Sequence, residues 1–142
     1  MKNSRDMLVS ILKTTQMEQV GIRSVLDTSM RPGLRKALEC QLRELDAIES
    51  EAHVIASQRG WELPELDPAV RFFSDRKSRM KLTHGNSDSK IADMVIQRNT
   101  KDMIKNLKNL HQYPRQDDSI SGISQKLIDC ETSGIRQMQS FL

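Results

Sequence analysis

Ile120-Ser-Gly-Ile123-Ser-Gln-Lys-Leu127-Ile-Asp-Cys-Glu131-Thr-Ser-Gly134-Ile135 carries the pattern from which the rest of the chain can be read. Ile120, Ile123, Leu127, Ile135, Met138 and Leu142 recur every three or four residues, the period that gathers side chains on one face of an α-helix. Glu131 stands on that same apolar face. A carboxylate there is either the remnant of a site or half of a buried polar pair, and the other helices are read by asking what faces it. Asp118 is the expected cap, so a helix is expected over about 118–141.

Three more long amphipathic segments precede it. The first, about 5–28 with Ser4 as expected cap, has the stripe Leu8, Ile11, Leu12, Thr15, Glu18, Ile22, Val25 and Leu26. Gly21 falls in its middle, where glycine costs about 1 kcal/mol relative to alanine and is tolerated best where another helix comes close. The turn Asp27-Thr-Ser-Met-Arg-Pro-Gly33 leads into a second helix, about 32–59, with Pro32 suited to its first position and Gly60 to its end. Leu34, Leu38, Gln41, Leu45, Ile48, Ala52 and Ile55 line its inner face. So short a turn makes these two helices an antiparallel hairpin. A third helix, about 88–111 with Ser87 as expected cap, carries Ile91, Ala92, Val95, Ile96, Met103, Leu107 and Leu110, with Asn99 as its polar member.

The connection from Trp61 to Asn86 is longer than a turn requires. Asp67-Pro68 opens an expected short helix over about 68–81, and His84-Gly-Asn-Ser is a second break. A helix of about 28 residues is about 42 Å long. A short helix of about 20 Å and a dozen extended residues span that length. The expected architecture is therefore all-α: one domain over 1–142, a four-helix bundle of two antiparallel hairpins joined by a long crossover. A plain up-down-up-down bundle with a decorated loop is the alternative. Lys36-Ala-Leu-Glu-Cys40 parallels Lys126-Leu-Ile-Asp-Cys130, and Asp6-Met-Leu-Val9 parallels Asp93-Met-Val-Ile96, which suggests that the two hairpins correspond.

Composition narrows the function classes. The chain has 142 residues, 37% hydrophobic and 4% aromatic, with eight methionines, so its core is expected to be aliphatic and sulfur-rich. Net charge is only +3, but it is unevenly spread. Glu39 to Asp67 holds eight acids against Arg43 and Arg59, and Arg71 to Lys108 holds ten bases against four acids. Complementary helix faces, within the bundle or between subunits, are the expected explanation. A nucleic-acid surface is disfavoured because no aromatic interleaving or recognition motif accompanies the bases. With no signal peptide and no run of 18 apolar residues, membrane spanning and secretion are not expected. Cys40 and Cys130 are expected as reduced structural thiols of a cytoplasmic protein.

The helix pattern and several phrases resemble the ferritin-like superfamily. Val20-Gly-Ile-Arg-Ser-Val-Leu-Asp-Thr-Ser-Met-Arg-Pro-Gly-Leu-Arg-Lys-Ala-Leu38, continuing to Gly60-Trp61, resembles Coat F-type spore-coat proteins. Ile91-Ala-Asp-Met-Val-Ile-Gln-Arg-Asn-Thr-Lys101 and Leu127-Ile-Asp-Cys-Glu131 are similar to uncharacterised ferritin-like proteins of spore-forming bacteria. The resemblance implies a spore-associated protein with spore-coat partners. It also raises the question of a di-iron site.

Such a site takes a Glu from each of two helices and a Glu-x-x-His from each of the other two. Glu131 is followed at that spacing by Gly134, and Glu18 by Gly21. The second helix offers Gln41-Leu-Arg-Glu44, and the third offers Arg98 and Asn99. His53, His84 and His111 form no convergent ligand set. Neither metal nor cofactor is therefore expected, and no catalytic residue is assigned. The expected feature is a buried polar cluster of Glu18, Glu131, Arg98 and Asn99, with the two carboxylates at one level of the bundle.

The function expected is a non-catalytic structural or protein-interaction bundle. It would form homo-oligomers through apolar helix faces, with Trp61, Phe72 and Phe73 as candidate contacts. The alternative is a metal-binding ferritin-like protein, a di-iron oxidoreductase or storage protein, whose ligands lie in another register. A DNA-compacting protein using the basic stretch 71–108 is a third reading.

Overall fold

A computed structural model describes residues 3–64, 87–113 and 117–142. Among these it contains four α-helices and no strand: α1 Ser4–Leu26, α2 Pro32–Gln58, α3 Ser87–Gln112 and α4 Asp118–Met138, closed by a 3-10 turn over Gln139–Phe141. The expected short helix over 68–81, together with Phe72, Phe73 and His84, lies outside the described residues.

Local chemistry sets the helix ends, with small corrections to the expected caps. Asn3, not Ser4, caps α1, accepting a hydrogen bond from the Asp6 amide at 2.8 Å. Ser4 is freed for a hydroxyl–hydroxyl hydrogen bond to Tyr113 at 2.5 Å. Asp117, not Asp118, caps α4 through the Ile120 amide. The α3 helix already includes Ser87, one residue earlier than expected. Pro32 occupies the first turn of α2, and Gly60 ends it with φ +67°, a left-handed conformation that glycine adopts without a Cβ clash.

α1 packs on α2, α3 on α4 and α2 on α4, while α1 touches both α3 and α4. The polar contacts fix which ends meet. Arg5 near the start of α1 donates to the Glu62 carbonyl just beyond α2. Arg59 after α2 forms a two-pronged ion pair with Asp117 before α4. At the opposite end Arg31 pairs with Asp88 at 2.6 Å, joining the first turns of α2 and α3. There Phe141 lies under the Arg31 guanidinium and against Gly33.

The core is aliphatic, as the composition implies. Leu8, Leu34, Leu38, Leu45, Ile91 and Leu127 are fully buried, each stabilising the fold by about 1.5–3 kcal/mol. The acidic stretch of α2 finds its described partners on α1 and α4. Asp46 pairs with Arg23, and Glu51 with Lys126. Cys40 is half-buried and Cys130 buried, both as free thiols. No described helix is long and apolar enough to cross a membrane.

Candidate carboxylate site

The interior changes character halfway along the bundle. At one end the α3 face is Ile91, Ala92 and Val95, all buried. Further on, Asn99, Asn106, Asn109 and Tyr113 are buried, with Asp102 half-buried between them. Their spacing of 3, 4, 3 and 4 keeps them on one helix face. α1 answers with Thr14, Thr15, Gln16, Glu18 and Gln19, all buried. Met103, Leu107 and Leu110, expected on the inner face, are only half-buried. The polar residues at 99, 102, 106 and 109 hold the inner stripe instead.

Glu18 from α1, Asp102 from α3 and Glu131 from α4 converge, with one carboxylate oxygen from each lying within 4.8 Å of the other two. Glu18 is 2% exposed and Glu131 fully buried. Thus Glu18 and Glu131 do share one level, and Asp102 joins them. Asn106 donates its amide to both Glu131 oxygens, at 3.0 and 2.9 Å. Neither Glu18 oxygen has a hydrogen-bond donor.

The electrostatics follow from that geometry. Burial pushes the Glu18 carboxyl well above the usual carboxylate range, and its Glu131 and Asp102 neighbours push the same way. Burial raises Glu131 to about 7, against the opposing influence of the Glu18 carboxyl beside it and the Asn106 hydrogen bonds. Asp102 is raised by burial and held back by the neighbouring Glu18 carboxyl, Arg98 and Lys105. These directions agree with a Glu18 that keeps its proton between two neighbouring carboxylates. As a carboxylate, Glu18 would be buried without a partner. The Cys130 thiol is also pushed well up by burial, with Glu44 beside it, which disfavours its thiolate form.

Arg98 and Asn99 serve a different purpose from the one expected of them. The Arg98 guanidinium lies against Gly21, where a Cβ would stand. Asn99 reaches Gly134: its Nδ2 lies 2.5 Å from the position of a Cβ, and Gln41 Oε1 lies 2.7 Å from it. Asn99 Oδ1 accepts a weak hydrogen bond from Gln41 at 3.4 Å. Both glycines one turn beyond the paired glutamates are thus filled from α3.

These residues do not fit a dinuclear iron centre. An imidazole at position 134 would overlap Asn99 and Gln41, and α2 contributes a neutral amide where a carboxylate is needed. His53 and His111 are exposed on the surface, away from the buried cluster.

Gly134→Ala is expected to destabilise the protein by about 1 kcal/mol net, because overpacking against two amides outweighs alanine's helix propensity. Gly122→Ala, with open space around it, is expected to stabilise by about 0.5–1 kcal/mol. Urea unfolding of both variants checks the contrast, and a stabilised Gly134→Ala contradicts the close approach.

No protein-family model, curated protein or solved structure matches the chain.

Proposed function

We propose that this chain is a non-catalytic bundle of ferritin-like type, a structural or protein-interaction element without a di-iron site. The observation that carries this reading is the filling of Gly21 and Gly134 by Arg98 and Asn99. Where a di-iron protein presents open ligand positions, this chain inserts its own side chains. The ferritin-like arrangement is supported by the Arg31–Asp88 pair, which brings the starts of α2 and α3 to one end. Two helices that start together run in the same direction, which favours the long-crossover topology over a plain up-down-up-down bundle.

Val54 on α2 and Ile104 on α3 are large, exposed apolar side chains, which supports association of copies through helix faces. Spore association and spore-coat partners rest on the sequence resemblance alone, and a cytoplasmic site on the cysteine usage.

The test is aerobic addition of ferrous iron to purified full-length protein, followed by absorbance and bound-iron analysis. Oxidation at the buffer rate is expected. Catalysed oxidation with two irons retained per chain overturns the reading.

A further inference from the structure

We propose that Glu18, Asp102 and Glu131 together hold one hard divalent cation of the magnesium, calcium or manganese class, which ties α1, α3 and α4 at mid-bundle. Three observations carry this proposal. The first is the donor set: three carboxylates from three helices, with no nitrogen or sulfur ligand among them. All-oxygen sites suit Mg²⁺, Ca²⁺ and Mn²⁺, whereas imidazole and thiolate favour zinc and copper. The second is size. Oxygens on opposite sides of a Ca²⁺ ion, at about 2.3–2.6 Å each, stand about 4.6–5.2 Å apart. A separation within 4.8 Å falls inside the width of a Ca²⁺ shell, and the smaller ions would draw the three oxygens closer.

The third is independent of the cluster's acidity. Glu18 is 2% exposed, is aimed at the other two carboxylates, and finds no donor for either oxygen. Buried polar groups are satisfied as a rule, so this side chain calls for a proton or a cation. Basic side chains do not meet that need. Arg98, Lys101 and Lys105 on α3 act on Asp102, and Arg98 extends toward Gly21. The Glu44 carboxyl of α2 lies beside Cys130 and adds negative charge. Asn106 already fixes Glu131, the outer-shell support that a ligating carboxylate needs. Half-buried Asp102 gives the ion its route from solvent.

The ion and the proton on Glu18 compete for one place. Binding therefore displaces protons and strengthens as pH rises. This site stands apart from the non-catalytic reading above: it concerns one hard ion and no iron oxidation, so either can fail alone.

The test uses the full chain after dialysis against a chelator. Mn²⁺ is titrated at pH 7.5 with free ion counted by electron paramagnetic resonance, and thermal unfolding is followed with Mn²⁺, Ca²⁺, Mg²⁺ and Zn²⁺ separately. One Mn²⁺ bound per chain is expected. At roughly a hundredfold excess over the dissociation constant, the melting temperature should rise by several degrees. Both effects should shrink at pH 5 and vanish in Glu18→Gln, a near-isosteric change, and in Asp102→Asn at the half-buried position. Absence of Mn²⁺ binding to the native chain overturns the proposal, as does undiminished binding to both variants. A response to Zn²⁺ alone, pointing to surface histidines, also overturns it.

Discussion

Raising the pH of chelator-treated protein from about 4.5 to about 8 should lower its stability by on the order of 3 kcal/mol. The cause is Glu131, whose ordinary value of 4.5 is pushed to about 7 in the folded bundle. Each tenfold change in proton affinity is worth about 1.4 kcal/mol. The folded chain holds a proton through this range that the unfolded chain has released, so stability falls as pH rises. The contribution is complete below 4.5 and is lost by the time the pH passes 7. Glu18 is raised as well, which extends the loss to higher pH. Lys105 on α3 softens the effect at Glu131, while Asp102 reinforces it. Below pH 4 the trend reverses, because Asp117 is held low by Arg59 and its protonation breaks that ion pair. A stability maximum near about pH 4 should appear in urea midpoints measured across the range with chelator present. Glu18→Gln should flatten the alkaline limb. A wild-type stability that is level or rising between pH 5 and 8 would show that the carboxyls are not buried together.

The four helices were legible because their apolar stripes obey one period, and because Pro32 and Gly60 mark the ends of α2. The shared level of Glu18 and Glu131 was legible for a similar reason: each stands on an apolar stripe with a glycine three residues later. Asp102 is not legible from the apolar pattern. Hydrophobic periodicity runs α3 through Met103, Leu107 and Leu110, whereas the inner face passes to Asn99, Asp102, Asn106 and Asn109. The signal was present in their heptad-like spacing. Polar residues at that period ordinarily mark a solvated face, and only the matching polar run on α1 shows that two such faces meet inside. Arg98 and Asn99 were expected as partners of the carboxylates, but helix rotation sends them to Gly21 and Gly134. A sequence gives the level of a side chain along a helix more readily than its angle around it. The caps shifted by one residue because Asn3 and Asp117 stand beside equally good candidates, Ser4 and Asp118.

Asn106→Ala should be among the most damaging single changes in the bundle, costing about 2–3 kcal/mol at pH 8. Asn106 supplies a donor to both oxygens of Glu131, a fully buried side chain. Removing the donor leaves a fully buried carboxylate without its amide, and the desolvation penalty then stands uncompensated. The cost should shrink at pH 5, where a proton satisfies the same oxygens. Asn106→Ala combined with Glu131→Leu should recover much of the loss, since paired polar groups replaced by apolar ones of similar total volume are close to neutral. The double-mutant cycle, read from urea unfolding at pH 5 and pH 8, should give a coupling of about 1–3 kcal/mol at the higher pH. Additive losses would mean that Asn106 acts through packing alone. The double variant should also lose the Mn²⁺ response while staying folded. That outcome would separate the two demands on this position: the bundle can dispense with its buried carboxylate, but a cation site cannot.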